Sequence, residues 1–287
     1  MSNKLYLECY SGISGDMTVA ALLDLGADQQ VLLEGLESLN LPGYQLKIGR
    51  VKKNGIDACD FDVILDEPEH HHDHDHEHDH DHDHEHDHEH DHEHDHDHDH
   101  EHDHDHDHEH HHHHDHVHRN IGDIFAIIDQ SKISDRAKQT AKDIFRIIAA
   151  AESKAHGIAE DQVHFHEVGA VDSIVDIVSA AICLDNLDIT EAVVSDLYEG
   201  CGYVHCQHGL MPVPVPAVVN IAADNALRLR LTQTRGEMIT PTGAAIVAYL
   251  SKGGKLPESF VIEKIGLGAG KKDFATANIL RAFLIRD

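Results

Sequence analysis

One segment limits what this chain can fold into more than any other part of the sequence. Residues 70–118 contain 28 of the chain's 33 histidines and 20 acidic residues, with no lysine or arginine. Histidine alternates with Asp or Glu along most of the segment, and no apolar residue occurs before Val117. Such a segment can build no core and is expected to be disordered. We therefore predict one discontinuous domain, residues 1–69 and 119–287, interrupted by a disordered insertion at residues 70–118.

The histidines of this insertion predict metal binding. Imidazole favours nickel, zinc and copper over magnesium and calcium. A disordered chain can bring two or three rings around one ion, so we expect several divalent ions to be held here and released as histidine protonates near pH ~6.5. The alternative is a solvated spacer, which has no use for so many imidazoles. The candidate ligands that begin the alternating pattern are His74, His76, His78, His80, His82 and His84.

The charge and composition of the rest of the chain exclude several classes of protein. The formal net charge is −31, but outside residues 70–118 there are 33 acidic residues against 22 basic ones, a net charge of −11. A nucleic-acid-binding protein needs a basic face, so we expect no nucleic-acid partner. No apolar run approaches the roughly 20 residues that span a bilayer, and no signal peptide is visible. Five cysteines without a C-x-x-C pair are typical of free thiols in a reducing cytoplasm.

Strand-like and helix-like segments are mixed along the chain without strict alternation. This pattern predicts an α/β fold (mixed α+β), with a mixed sheet flanked by helices. Asn54-Gly55 predicts a tight hairpin between two strands. We also predict one buried strand over residues 191–198, and a glycine-rich turn over residues 266–270.

The densest group of chemically active side chains outside the insertion lies just past the middle of the chain. His164 and His166 are two residues apart, so in extended backbone their imidazoles point the same way. Glu167 follows, and the apolar spacing then becomes helical, with Asp172 and Asp176 one turn apart. Such a stretch can build a divalent-metal or acid–base site. The alternative is an exposed strand end plus an aspartate whose charge suits a helix N-terminus.

A second candidate site is a glycine-containing turn near the N-terminus. Gly12 and Gly15 follow a predicted strand, and Asp16 stands at the start of a predicted helix. Free amides and the helix dipole make such a turn a cradle for phosphate. Asp16 either caps the helix or holds a cation beside a bound phosphate. Thr240 and Thr242 precede a later helix, where they either cap it or offer hydroxyls to a ligand.

These motifs together resemble one known family. In chain order they are residues 7–17, 164–176, 208–216, 240–245 and 268–278. By them the chain resembles the LarC nickel-insertion family, over its whole length except the histidine-rich insertion. The resemblance implies insertion of nickel into pyridinium-3,5-bisthiocarboxylic acid mononucleotide, forming two nickel–sulfur bonds and one nickel–carbon bond. This step belongs to biosynthesis of the nickel-pincer cofactor of lactate racemase.

The resemblance also implies an enzyme of the nickel chelatase (lyase) class that uses CTP with Mg or Mn. Family members continue into a C-terminal region that binds CTP, and this chain lacks it. We therefore expect complete catalysis to need that C-terminal region or subunit. A homo-oligomer and contacts with other proteins of the lactate racemase pathway are further expectations.

The implied chemistry distributes roles among the candidate residues. The insertion would deliver nickel, and the glycine turn would hold the substrate's phosphate. A base must take the ring proton where the nickel–carbon bond forms, and Glu167, Asp172 or His166 could do so. The expected catalytic residues are Asp16, Glu167 and Asp172. The expected substrate-binding residues are Gly12, Gly15, Thr240 and Thr242. The expected metal ligands outside the insertion are His164, His166, Glu167 and His208.

Two other functions compete with nickel insertion. A non-enzymatic nickel or zinc store, or a metallochaperone, would need only the histidine-rich insertion, and the glycine turn would then have no use. A phosphate-ester hydrolase with a dinuclear metal site is suggested by Asp16, His164, His166 and Asp172, but the chain carries no recognisable hydrolase motif.

Overall fold

The computed structural model describes residues 3–66, 119–160, 163, 171–206 and 209–286. The prediction of a disordered insertion, and with it the domain boundaries, falls outside the described residues and stays a prediction. The strands in these ranges are β1 (Asn3–Glu8), β2 (Tyr44–Lys53), β3 (Ile56–Leu65), β4 (Ile189–Val194), β5 (Leu197–Cys201), β6 (Tyr203–Cys206), β7 (Gly209–Pro212), β8 (Leu229–Arg235), β9 (Val261–Ala269) and β10 (Ile279–Arg286). The α-helices are α1 (Gly15–Asp24), α2 (Gln29–Glu37), α3 (Ile121–Gln130), α4 (Asp135–His156), α5 (Val171–Asn186), α6 (Pro216–Asp224) and α7 (Pro241–Leu250).

Six strands form a mixed sheet in the order β2-β3-β9-β10-β1-β4. β1 pairs antiparallel with β10 and parallel with β4. β5 pairs with β8, and β6 with β7, in two small separate sheets. The predicted hairpin is confirmed, because β2 and β3 pair antiparallel around Asn54 and Gly55, both of which have positive φ. The predicted α/β class with a mixed sheet and flanking helices is also confirmed.

The helices cover one face of the six-stranded sheet. Leu5 and Leu7 on β1 are fully buried in the main core with the helices, because alternate side chains of a strand point to one face. Tyr6 points to the other face and stacks on Phe283, with ring centroids 5.7 Å apart. α1 packs on β9 and β3, α5 packs on α1, and α4 packs on α5, α6 and α7. The starts of α1, α5, α6 and α7 are thereby brought close together.

The predicted turn over residues 266–270 is wrong, because most of it belongs to β9. Gly266 and Gly268 lie where the backbone of α1 packs directly against the backbone of β9. A Cβ on Gly268 would stand 2.0 Å from the carbonyl oxygen of Met17, and one on Gly266 would stand 2.2 Å from that of Ala21. Glycine here makes room for a helix and does not reverse the chain.

The single strand predicted over residues 191–198 is also wrong. The chain leaves the large sheet after β4, and β5 starts again beside β8. Ser195 lies at the break, where its hydroxyl oxygen accepts the Cys9 backbone N–H at 2.9 Å. The break therefore ties β5 to the end of β1. Within the described ranges, no helix is long and apolar enough to cross a membrane.

Candidate functional site

A cavity of about 500 Å³ opens where four helices begin. Backbone N–H groups at helix starts lack intrahelical partners and carry partial positive charge, so converging starts favour an anionic ligand. Ser14 and Thr240 are the residues that immediately precede α1 and α7, and the hydroxyl of Thr240 accepts the Gly243 N–H at 3.1 Å. The lining residues from the helix starts are Ser14, Gly15 and Asp16 for α1, Asp172, Ser173 and Asp176 for α5, Val215 for α6, and Thr240, Pro241 and Thr242 for α7.

The starts of α1 and α5 carry three carboxylates, those of Asp16, Asp172 and Asp176. The hydroxyl of Ser14 donates a hydrogen bond to Asp16, so Asp16 is held in the first turn of α1 and is not the capping residue. Burial raises the pKa of Asp16 and of Asp172. Burial, and then the charges of Asp16 and Asp172, raise the pKa of Asp176 well above its ordinary value. Three acids at one cavity therefore favour at least one bound proton or a cation.

Two oxygens of this group have no hydrogen-bond partner among the described residues. They are Oδ1 of Asp172 and Oδ1 of Asp176, and both are buried. Asp176 approaches α1 so closely that a Cβ on Gly15 would lie 2.4 Å from its Oδ2, so glycine is needed at that position. Buried polar atoms are normally paired, and a pair of orphaned carboxylate oxygens indicates a missing proton or cation.

Lys271, Glu237 and residues of β3 and β6 supply the rest of the described lining. Lys271 Nζ lies 2.7 Å from Asp60 and 3.3 Å from Asp62, and its charge lowers the pKa of Asp16 and Asp176, against the larger effect of burial. β6 contributes Val204, His205 and Cys206. Among the described residues, no group of three or more His, Cys, Asp or Glu side chains is arranged to hold a metal ion. The carboxylates therefore need further ligands to complete a metal site.

Backbone contacts hold the two loops of the cavity together. The Ile13 N–H donates to the Met238 carbonyl at 2.9 Å, and the Thr240 N–H donates to the Ile13 carbonyl at 3.1 Å. Gly12 has a φ of +84°, and a Cβ there would lie 2.0 Å from the Met238 oxygen. The residues before α1 and before α7 are thus fixed against each other.

A larger depression of about 720 Å³ lies between α2 and α5. Of its three acids, Glu34, Glu37 and Asp185, the last already accepts from the Ser134 hydroxyl at 2.5 Å and lies 3.5 Å from Arg136. None of the orphaned carboxylate oxygens lines it. Chemistry is therefore better placed in the smaller cavity.

The structure brings together five of the sequence-predicted site residues: Gly15, Asp16, Asp172, Thr240 and Thr242 all line the cavity. Gly12 does not appear in the lining and serves the turn beneath it. The remaining predicted site residues lie outside the described ranges; they are His164, His166, Glu167, His208, His74, His76, His78, His80, His82 and His84.

The sequence analysis named Asp176 beside Asp172 in the candidate stretch but gave it no role, and it did not select Ser14 or Lys271 as site residues. The spacing of Asp176, four residues after Asp172, was a usable signal because it puts both acids on one face of a helix. Lys271 offered none, since its position depends on how β9 and β10 are paired. Ser14 stands at the N-cap position of α1, but its side chain makes no capping hydrogen bond there.

Comparisons with known proteins give a consistent result. The sequence model of the family described as "Nickel insertion protein" matches residues 5–287. A "Pyridinium-3,5-bisthiocarboxylic acid mononucleotide nickel insertion protein" from Alkaliphilus metalliredigens (strain QYMF) is 59% identical over 100% of this chain and 61% of its own length. Proteins of the same name from Clostridium acetobutylicum and Geobacillus kaustophilus are 45% and 40% identical over 98% of this chain, and 63% and 59% of their own lengths. The chain thus spans about three fifths of these relatives. No solved structure shows a significant match.

Proposed function

Because the chain belongs to the nickel insertion protein family, we propose that it takes part in inserting nickel into pyridinium-3,5-bisthiocarboxylic acid mononucleotide, with the cavity at the helix starts as the substrate site. The names of the relatives supply the substrate. The proposed enzyme class is a nickel chelatase of the lyase type, acting in biosynthesis of the nickel-pincer cofactor of lactate racemase.

One observation carries the assignment of the site. Asp16, Asp172 and Asp176 meet at the starts of α1 and α5, and two of their buried oxygens lack partners among the described residues. A cation or a proton would satisfy those oxygens, while the free N–H groups and the hydroxyl of Thr242 suit a phosphate. A mononucleotide that must meet a divalent metal needs both kinds of group in one cavity.

The chemistry assigns a proton acceptor to this cavity. Two thiocarboxylate sulfurs bind nickel, and the nickel–carbon bond replaces a ring carbon–hydrogen bond, so one proton leaves for each nickel inserted. A carboxylate whose pKa is raised by burial is a stronger base than an ordinary one. We assign this role to Asp172, with Asp16 and Asp176 beside it, and Glu167 as the other candidate.

Nickel itself is a substrate that must be delivered and then released. We propose that the histidines of residues 70–118, His74 among them, supply it, and that His164, His166, Glu167 and His208 hold it in transit. Imidazole and carboxylate bind nickel reversibly, which suits a metal that has to move on to sulfur and carbon.

CTP with Mg or Mn does not fit the described cavity. Its described lining has five carboxylates, from Asp16, Asp62, Asp172, Asp176 and Glu237, against the single ammonium of Lys271. These groups are already assigned to the mononucleotide and to a cation, and the described lining offers no second anion site for a triphosphate. We propose that CTP is bound by a C-terminal region or subunit corresponding to the part of the relatives that this sequence does not cover, and we assign no step to CTP here.

The decisive test is to mix the purified chain with nickel and the bisthiocarboxylate mononucleotide. Each mixture is made with and without CTP plus Mg, and with and without the C-terminal region of a longer relative. We expect the nickel-containing product, detected by mass spectrometry, in at least the complete mixture. Nickel bound by the chain with no product in any mixture would favour the metal store.

The site is tested by Asp16→Ala, with Asp28→Ala as a matched control. Asp28 is a genuine helix cap, since its side chain accepts the Gln30 and Val31 N–H groups. Removing such a cap costs about 1 kcal/mol of folding free energy, and we expect normal activity in that variant. Asp16→Ala should lower activity roughly 100-fold with a smaller stability loss. Equal activity in both variants would make Asp16 a structural residue.

The metal ligands are tested in a protein from which residues 70–118 have been deleted, so that their histidines do not mask the result. Nickel is titrated into this protein and into its His164→Ala/His166→Ala double variant. We expect the double variant to lose one tightly bound nickel and the insertion activity. Equal nickel binding in the two proteins would direct the search to His205, His208 and the cysteines.

A further inference from the structure

Glu199 on β5 is a fully buried carboxylate outside the described cavity lining. Its Oε1 accepts three backbone N–H groups: from Gly200 at 2.7 Å, from Met238 at 2.8 Å and from Ile239 at 3.3 Å. Its Oε2 is also buried and has no hydrogen-bond partner among the described residues. A buried oxygen without a partner disfavours folding, so the three contacts of Oε1 must outweigh that effect.

The peptide that Glu199 holds is the one that joins the two cavity loops. Met238 and Ile239 contact Glu199 through their N–H groups, and the Met238 carbonyl accepts the Ile13 N–H. Ile13 directly precedes the residue that caps α1, and its carbonyl accepts the N–H of Thr240, which caps α7. Glu199 is therefore one peptide away from both helix starts.

Two glycines allow the backbone segments of this arrangement to lie in direct contact. A Cβ on Gly200 would lie 1.9 Å from the Gly236 carbonyl oxygen, and one on Gly243 would lie 2.3 Å from the Ile13 oxygen. The segment at 236–239 lies between β8 and α7, so the N–H groups of Met238 and Ile239 have no helical or ladder partner. The carboxylate of Glu199 supplies the acceptor that regular structure would otherwise provide.

We infer that Glu199 is the positioning residue of the cavity: its Oε1 fixes the peptide at Met238 and Ile239, and through it sets the starts of α1 and α7 at the spacing that the substrate's phosphate requires. This inference rests on the proposed function for the identity of the substrate. Three backbone donors on one oxygen define a position more strictly than one contact does. Glu199 itself touches no described cavity surface, so it acts through the backbone.

Three substitutions separate the parts of this role. Glu199→Gln keeps an oxygen acceptor at the same distance from the backbone. Glu199→Asp shortens the side chain by one methylene, so its oxygens fall short of Met238 and Ile239. Glu199→Ala removes the acceptor altogether. Ile148→Ala is the control for general destabilisation, because Ile148 is fully buried in α4, which contributes no described lining residue.

The kinetic readout is the KM for the mononucleotide and the kcat of insertion, measured in the complete mixture at a temperature where every variant is folded. We expect Glu199→Ala and Glu199→Asp to raise KM about 30-fold, with kcat changed about threefold or less, since a misplaced binding loop weakens substrate binding. Glu199→Gln should restore KM to within about threefold of the wild type. Ile148→Ala should leave KM unchanged.

Amide hydrogen exchange gives a readout that does not depend on activity. In Glu199→Ala the amides of Met238, Ile239, Ile13 and Thr240 should exchange faster than in the wild type, and in Glu199→Gln they should not. Slow exchange at Ile13 and Thr240 in Glu199→Ala would overturn the inference, as would equal KM values for Glu199→Ala and the wild type. Equal loss in Glu199→Gln and Glu199→Ala would overturn the acceptor role.

Failure of the proposed function gives a different pattern. If the wild-type chain neither binds the mononucleotide by calorimetry nor forms product, the substrate assignment is wrong for every variant alike. The exchange rates at Ile13 and Thr240 then still decide whether Glu199 positions the two helix starts.

Discussion

The turn around Gly12 and the strand around Gly268 look alike in sequence, but glycine has a different purpose in each. Gly12 has a φ of +84°, in the left-handed region that favours glycine, and it also approaches the Met238 carbonyl. Gly268 has no such φ; there the backbone of α1 presses on the strand, with Met17 at the contact. The first glycine joins two loops at the cavity, and the second seats a helix on the sheet.

The difference matters because α1 connects both places. Its first residues, Gly15 and Asp16, line the cavity, while its body lies on β9. The position of Asp16 therefore depends on a strand glycine that contributes nothing to the described cavity lining. Substitution of Gly268 should therefore mainly lower stability, whereas substitution of Gly12 should mainly lower nickel insertion.

The largest effect is expected at the strand. Gly268→Ala places a methyl group against the Met17 carbonyl and the Ala21 N–H, both of which are helix backbone and do not move separately. Inserting atoms into packed structure costs about 1–3 kcal/mol, and a backbone clash stands at or above the upper end. Urea unfolding should show a loss of roughly 3 kcal/mol or more. A near-normal unfolding midpoint would mean that α1 can move off β9.

The turn should respond with a smaller loss of stability and a larger loss of function. Gly12→Ala combines a strained left-handed φ with the Met238 contact, but Met238 lies between β8 and α7 and can shift more readily than the helix backbone at Gly268, so we expect the free energy of unfolding to fall by about 2 kcal/mol. Because the loop carries the start of α1, nickel insertion should fall roughly 100-fold. Full activity in a variant destabilised to this extent would remove the distinction between the two glycines.

Gly15, the first residue of α1, is a third glycine of interest, and its contact with Asp176 can be tested by changing that aspartate. The carboxylate of Asp176 occupies the space beside Gly15, where burial, with Asp16 and Asp172, holds its pKa well above the ordinary value. The folded protein thus keeps this proton more tightly than the unfolded chain. Its free energy of unfolding therefore falls as pH rises from about 3.9 towards the folded pKa.

Asparagine has the shape of the protonated acid without its charge. We expect Asp176→Asn to raise Tm at pH 7.5, to flatten the decline of stability with pH, and to reduce insertion activity. Thermal unfolding across pH 4 to 8 measures the first two effects. A lower Tm at neutral pH would show that Asp176 is stabilised as an anion in the free protein.

The smallest effect should come from a glycine that neither joins the cavity loops nor makes room for a helix on the sheet. Gly49 lies on β2 with no heavy atom within 4 Å of the added Cβ, and its φ is outside the left-handed region. Gly49→Ala should be neutral or stabilise by up to about 1 kcal/mol, chiefly by restricting the unfolded chain. It serves as the reference for the other glycine variants. A loss comparable to that of Gly268→Ala would show that the sheet tolerates no added side chain.

Local patterns predicted those parts of the fold that depend on local physics. The hairpin at Asn54 and Gly55 was readable because a two-residue turn determines its own residue types. β9 was misread because the contact between Gly268 and α1 joins segments some 250 residues apart, and nothing near residue 268 reports it.

The candidate site likewise contains residues that the local sequence identifies and residues that only long-range contacts explain. Asp16, Asp172 and the two threonines were chosen by their places at helix starts, and the structure brings them together. Glu199 gave no signal, because a glutamate in a strand normally lies on a solvated face, and only the arrival of Met238 beneath it explains its burial. Residues that position a site through backbone contacts without lining it are therefore the hardest to identify from sequence.

The order of the large sheet has a consequence for synthesis on the ribosome. β1 emerges first, yet its two neighbours are β4 and β10, which are translated roughly 180 and 270 residues later. The nascent chain therefore holds β1 without either of its neighbouring strands while the residues between β1 and β4 are translated. The large sheet is complete only once Ile279–Arg286 has left the exit tunnel, so we expect the cavity at the start of α1 to reach its final form late in synthesis.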